Sequence, residues 1–263
     1  MVEKKYTYII YERQEKIATI TFNRPEVFNA ITDGLLKEMC DALQDAEFDD
    51  SISVIVITGS GESAFCAGAD ISMIQHLSPI EARSFSLSMH EHTKYMERIE
   101  KPIVAKIKGF CLGGGLEIAM ACDFRIASDK ATFAQPEVNL AVIPGGGGTQ
   151  RLTRLIGRSK SMELNMLGDQ ISANEAYRLG LVNKVVPTEE LDKTVDECIQ
   201  KLLSKSLVSL GIIKLAINKG IEMDLDHALY YEAECFSSAL TTEDSKEGIR
   251  AFLEKRKPKF KGR

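Results

Sequence analysis

Apolar residues change their period several times along this chain, and the changes mark its elements. The runs YIIYER and IATITF alternate as half-buried strands do, and apolar positions return at helical spacing from Thr32 to Ala46. The continuous run SVIVIT, ending at Gly59, reads as a strand buried on both faces. A long helix is predicted between Pro79 and Ile99, followed by a strand around Pro102 to Lys108, then glycines, a short apolar helix and the strand DFRIAS. Strand and helix patterns in alternation predict an α/β fold. After about Val186 the pattern is helical alone, in four stretches opening at PTEEL, SLVSL, MDLDHA and TTEDSKEG. The chain therefore divides into a core, residues 1–190, and a helical region of the same domain, residues 191–263, read as a lid or an oligomer surface. No internal repeat, low-complexity tract or interdomain linker interrupts it.

Composition narrows the function classes. At 263 residues and 44% hydrophobic positions, the chain can bury a substantial single core. Its charge of −5 comes from 38 acidic and 33 basic residues spread along the whole length, which leaves no basic field for nucleic acid. No stretch approaches the ~20 apolar residues that span a bilayer, and the amino end MVEKKYTYII lacks a leader's apolar segment and cleavage site. A cytoplasmic protein without a membrane partner is expected. Cys40, Cys66, Cys111, Cys122, Cys198 and Cys235 form no C-x-x-C pair, and most sit among apolar neighbours, as reduced structural thiols do. His90 and His92 are two apart on a predicted helix and point to different faces, so no metal site is expected.

Two carboxylates stand out by their surroundings. In GFCLGGGLEIAMACDF, the glycines Gly113 to Gly115 open into an apolar helix interrupted only by Glu117. Glycines at a helix start let a ligand approach the backbone, whose free N–H groups can meet a developing negative charge. The commoner role for an isolated acid there is to complement the helix dipole. Glu137 interrupts a second uncharged stretch, Ala134 to Leu140, closely followed by Gly145 to Gly148. Taken alone, it reads as a solvated loop acid beside ordinary turns. Taken together, paired carboxylates in a dry pocket split their proton affinities, leaving one as acid and one as base. Such a pair can handle water.

A third segment, Ser63 to Ile71, follows SVIVIT and is expected to present backbone N–H groups at that strand's carboxyl end. Gly59, Gly61 and Ala64 also match the dinucleotide pattern G-x-G-x-x-G/A, but no acid ends a second strand about 20 positions onward, and Glu81 falls in a helical pattern. Neither a P-loop nor the nucleophile elbow G-x-S-x-G occurs.

In order along nearly the whole chain, Asn23-Arg24-Pro25, Asn29-Ala30, Ala67-Gly68-Ala69-Asp70-Ile71, Leu112-Gly113-Gly114-Gly115-Leu116-Glu117 and Gln135-Pro136-Glu137 resemble the crotonase family of enoyl-CoA hydratases and isomerases. Pro144-Gly145, Gly148-Thr149-Gln150-Arg151-Leu152, Gly180-Leu181-Val182 and Ala251-Phe252-Leu253-Glu254-Lys255-Arg256 continue the match. The resemblance implies a ClpP-like spiral of ββα units with a helical carboxy-terminal trimerisation region, assembled as a homotrimer or homohexamer. It implies an acyl-CoA substrate, hydrated reversibly at C2=C3, and no cofactor beyond the coenzyme A of that substrate. By the same resemblance, the N–H groups of Ala69 and Gly114 hold the thioester oxygen, while Glu117 and Glu137 flank the water and Glu137 delivers the proton to C2. Gly145 lets backbone approach that water. Ala67, Gly68, Asp70 and Ile71 border the adenine and pantetheine, and Phe252 and Lys255 meet coenzyme A. The stretch Met73 to Pro79 and the helix after it are expected to floor the acyl pocket.

Likeness to relatives acting on crotonyl-CoA, and to others dehydrating 3-hydroxypropionyl-CoA in autotrophic carbon fixation, implies short acyl chains. The alternatives on this scaffold are a double-bond isomerase, which often manages with a single acid, and a non-catalytic acyl-CoA or RNA binder, which can lose both. Two departures from the family pattern are Leu116, in place of a frequent cysteine, and the lysines of Ala105-Lys106-Ile107-Lys108.

Overall fold

A computed structural model describes residues 5–263. Residues 1–4, the head of the segment read above as lacking a leader, lie outside the described residues. Strands β1 (Ile9–Gln14) and β2 (Ile17–Phe22) pair as an antiparallel hairpin. Helix α1 (Asp33–Phe48) starts where the Thr32 side chain accepts the N–H of Leu35, satisfying one of the open donors of its first turn.

Three turns of a ββα spiral follow. The first runs β3 (Val54–Gly59), β4 (Ala64–Cys66), a short helix α2 (Ile71–Ile74) and the long α3 (Pro79–Arg98). Glu81 closes a capping box with Ser78 at the start of α3, which accounts for an acid in that helical pattern. The second turn runs β5 (Ile103–Ile107), β6 (Phe110–Leu112) and α4 (Gly114–Ala121). The third runs β7 (Phe124–Ser128), β8 (Thr132–Ala134), a 3₁₀ turn over Pro136–Leu140, and α5 (Gly148–Ile156). Helix α6 (Arg158–Leu167), β9 (Ile171–Ser172), α7 (Ala173–Arg178) and β10 (Lys184–Val186) close the core. Four helices complete the chain: α8 (Leu191–Leu203), α9 (Leu207–Gly220), α10 (Leu225–Thr241) and α11 (Glu243–Leu253).

The strands separate into two sheets. One has the order β1-β2-β3-β5-β7-β10, parallel apart from the opening hairpin; the other has the order β4-β6-β8-β9. In every turn of the spiral the first strand joins the larger sheet and the second joins the smaller one. The three-residue strands of the smaller sheet are too short to show a period, and β4 lies inside the Ser63 to Ile71 segment that follows β3. The segment after Cys66 is thus carried by β4 rather than directly by SVIVIT.

Burial explains the unbroken apolar run of β3. Ile55 and Ile57 enter the main core with α1 and α4, whereas Val54 and Val56 pack with Val104, Leu191, Val195 and Ile199 beneath α8. The lysines of β5 and its flank fit this layering. Lys106 lies two residues beyond Val104 on the α8 side and pairs with Asp192 at 2.9 Å, and Lys108 pairs with Glu62 at 2.8 Å. Leu116 is buried in the main core, where its side chain serves packing.

Helix α9 is tied to the core by a buried ion pair. Lys214 donates to Asp123 Oδ2 at 2.9 Å and to the Lys101 carbonyl at 3.4 Å, and Asp123 also accepts the N–H of Ile103. Removing one partner strands the other charge away from water. We expect Lys214→Ala to lower the unfolding free energy by about 3–5 kcal/mol in urea titration. Lys94→Ala, which breaks an exposed pair with Glu91, should cost less than about 1 kcal/mol.

Candidate active site

The carboxyl ends of β4, β6 and β8, which lie side by side in the smaller sheet, deliver the three backbone turns that meet at the site. After β4 comes Ala67-Gly68-Ala69-Asp70. Gly68 has φ +103°, a conformation costly for any side chain, and a Cβ built on it would lie 3.3 Å from the Leu112 carbonyl and 3.5 Å from the Gly114 nitrogen. The turn is pinned from one side by Ile31, whose N–H donates to the Gly68 carbonyl and whose carbonyl accepts from Asp70, both at 2.8 Å. These two bonds straddle Ala69 and leave its N–H without a protein acceptor among the described residues. At the head of α4, Gly114 occupies the first helical position, where an N–H has no intrahelical partner. A Cβ placed on Gly114 would lie 3.6 Å from the Ala69 nitrogen, so the two free donors are neighbours.

All eight residues of α4 are buried, Glu117 among them at 2% exposure. A carboxylate at that depth needs strong donors. It receives two, because Oε1 accepts the Gly146 N–H at 2.8 Å and the Gly148 N–H at 2.7 Å. Gly148 begins α5, so the charge sits at the positive end of a second helix rather than serving only its own. Burial pushes the Glu117 proton affinity up, and the two N–H groups and the Arg151 guanidinium hold it back.

Glu137 stands in the 3₁₀ turn after β8, half-buried, and reaches the same glycines from the other side: a Cβ on Gly113 would lie 2.8 Å from its Oε1. Burial, together with the negative charge of Glu117, raises its pKa to about 7. With its amide turned so that the nitrogen faces the acid, buried Gln135 donates to the two Glu137 oxygens at 3.1 and 3.2 Å. Two carboxylates and two free N–H groups therefore converge on Gly113 and Gly114.

Other residues singled out from the sequence take different places. Asp70 is committed to structure: Oδ1 accepts from the backbone and hydroxyl of Ser72, and Oδ2 accepts from Arg24 at 3.0 Å, which holds its pKa below the usual carboxylate range. Ile71 is exposed beside it, Ala67 is partly buried, and the Gly145 carbonyl accepts from the Ser86 hydroxyl at 2.6 Å. In the Gly145–Gly148 cluster it is Gly146 and Gly148 that touch a catalytic candidate. Phe252 and Lys255 lie exposed at and just after the carboxyl end of α11, which packs on α10.

Several supporting residues carried no role in the sequence reading. Fully buried Asn29, in the left-handed region at φ 58°, donates to the Ser60 and Ala64 carbonyls and accepts the Arg24 N–H, which fixes the approach to β4. A buried, doubly bonded asparagine beside a positive φ leaves only the ambiguous signal Asn-Ala in sequence. Among the described residues no cluster of His, Cys, Asp and Glu could hold a metal ion.

The ββα spiral thus brings two carboxylates and a pair of unspent N–H donors together at one sheet edge. The chain belongs to the enoyl-CoA hydratase/isomerase family, whose profile matches residues 12–263. It is 46% identical to a crotonyl-CoA hydratase of Syntrophomonas wolfei, over 97% of this chain and 98% of that protein. It is 45% identical to a short-chain-enoyl-CoA hydratase of Clostridium acetobutylicum, with 95% of each covered. Among solved structures, an enoyl-CoA hydratase from Bacillus anthracis superposes with a TM-score of 0.93 at 37% identity, covering 98% of this chain and 100% of that one. The expected spiral fold and family are thereby borne out.

The raised pKa of Glu137 carries a stability cost. In the unfolded chain its pKa is near 4.5 and in the fold about 7, so the native state favours the protonated acid and loses stability as pH rises through about 7. A neutral isostere removes that loss. We expect Glu137→Gln to raise unfolding free energy at pH 8 by about 1–3 kcal/mol, with the gain vanishing near pH 4, in denaturant titrations at both pH values.

Proposed function

We propose that the chain catalyses the reversible addition of water across the C2=C3 bond of a short-chain trans-2-enoyl-CoA, with crotonyl-CoA as the representative substrate. The observation that carries the reading is the convergence of Glu117 and Glu137 on the free N–H groups of Ala69 and Gly114. Those N–H groups suit the thioester oxygen, which gains enolate charge as the C3–O bond forms, and donors aimed at a developing charge lower the barrier most where water is excluded. Gly114, lacking a side chain, leaves room for the thioester.

The donors around each acid suggest the assignment. Glu117, whose Oε1 already accepts two backbone N–H groups suited to a carboxylate, takes the proton from the water that attacks C3. Glu137, whose pKa of about 7 keeps a protonated fraction, gives its proton to C2. Dehydration retraces the same path with the roles exchanged. Hydration therefore loses rate as pH rises through about 7 and Glu137 ionises, whereas dehydration loses rate as pH falls through the same value. Rate profiles measured in the two directions should be displaced in opposite senses.

The short-chain reading draws support from the similarity to the Syntrophomonas crotonyl-CoA hydratase and the Clostridium short-chain-enoyl-CoA hydratase. Ala67, Gly68, Ile71 and the exposed Phe252 and Lys255 are proposed contacts for coenzyme A, with the Lys255 ammonium suited to a phosphate. Helix α10 exposes Leu225, Leu229, Tyr230 and Phe236, a face consistent with assembly into a trimer or a dimer of trimers. No helix among the described residues is long and apolar enough to cross a membrane, and all six cysteines are free thiols, which suits a cytoplasmic location.

Purified protein incubated with crotonyl-CoA and with 3-hydroxypropionyl-CoA, followed by the ultraviolet absorbance of the conjugated thioester, tests the reading. We expect turnover of crotonyl-CoA, and no absorbance change with either compound would refute the short-chain assignment. Glu117→Gln and Glu137→Gln should each lower kcat by about 10²–10⁴. A variant of either that keeps near-normal rates would rule out the paired mechanism.

A further inference from the structure

The loop that grips Glu117 has no side chains of its own to hold it, since it consists of Gly145 to Gly148 after Pro144. Its rigidity comes from two neighbours. Ser86 of α3 donates to the Gly145 carbonyl at 2.6 Å. Arg151, in the first turn of α5, donates through Nη1 to the Gly146 carbonyl at 3.3 Å and through Nε to Glu97 Oε1 of α3 at 2.7 Å. The fit is close: a Cβ on Gly147, itself at φ +113°, would lie 2.2 Å from Arg151 Nη1. The arginine therefore bridges the back of the loop to α3, while the front of the loop aims its two N–H groups at Glu117.

We propose that Arg151 is the positioning residue for Glu117. Anchored by Glu97, it locks the Gly146–Gly148 backbone so that both N–H donors stay directed at one carboxylate oxygen, and its charge favours the ionised acid from behind the loop. Arg151 makes no bond to Glu117 itself; it acts through the loop, by donating to the Gly146 carbonyl behind the N–H groups that Glu117 accepts. A planar fork suits this task, because one guanidinium can bind a carboxylate and a carbonyl at once in a fixed geometry. The inference rests on the reading of Glu117 as the base.

The charged groups that face Glu117 are Glu137 from the turn after β8 and Arg151 from α5. Behind the loop a cavity of about 650 Å³ is lined by Arg151 and Arg154 of α5, by His90, Lys94, Glu97 and Arg98 of α3, and by Lys219 and Glu222 at the end of α9. Variants that change one member of this set at a time separate the charge of Arg151 from the rest.

The test compares pH profiles of kcat for hydration in Arg151→Gln and Glu97→Gln. Glu117 must be ionised, so its titration sets the acid limb. Loss of the Arg151 charge should raise that limb by about one pH unit and lower kcat by roughly 10- to 100-fold, with KM little changed. Glu97→Gln keeps an amide oxygen that can accept the Arg151 Nε–H, so the anchor remains while the Arg151 charge is left uncompensated, and the limb should move the other way, to lower pH. Opposite displacements are a signature that loosened packing does not produce. An acid limb unmoved in both variants would overturn the proposal, and if Arg151→Gln fails to fold, the direction seen in Glu97→Gln decides alone. Should Glu117→Gln itself retain activity, the reading of Glu117 as base fails first, a result distinguishable from an unmoved limb in an enzyme that needs Glu117.

Discussion

A carboxylate exposed by only 2% must be answered by donors, and the structure around Glu117 is arranged to supply them. The two N–H groups on Oε1 come from a loop and a helix start that follow Glu117 by about thirty residues in the chain. Their meeting requires α4 and α5 to pack at a set distance, which in turn requires Gly115 against β4. A side chain on Gly115 would drive a Cβ to 2.2 Å from the Cys66 carbonyl. The acid, the glycines and the helix contact form one constraint.

The smaller sheet turns that constraint into a site. Because β4, β6 and β8 are parallel neighbours, the turns after them fall in register at one edge, in the way ligands are met at strand carboxyl ends in α/β proteins. Each turn contributes something different: a free N–H at Ala69, a free N–H at Gly114 with Glu117 one turn on, and Glu137. The larger sheet holds this edge still from beneath, buried on one face by α1 and α4 and on the other by α8.

The two acids differ in environment more than in depth. Glu117 is buried and bonded by two backbone donors, while Glu137 is half-buried beside it, feels its charge and has its pKa raised to about 7. Glu137 is also destabilising at neutral pH, the common situation of a group kept for chemistry rather than for folding.

Much of this was legible in the residues. The periods located the longer elements, SVIVIT declared its two buried faces, and the two acids stood out because each broke an uncharged stretch beside glycines. The resemblance over the whole chain named both glutamates and the Ala69 and Gly114 donors. What one dimension could not carry was pairing. The strands of the smaller sheet span three residues or fewer, too few for a period. The Asp70 carboxylate is tied to Ser72 and Arg24, and Gly146, Gly148 and Arg151 acquire roles only where folding brings α5 and α3 against the back of Glu117. Chemical type and local period are properties of the sequence itself, but which donor answers a buried charge is set by contacts between distant segments, and only tertiary packing decides those.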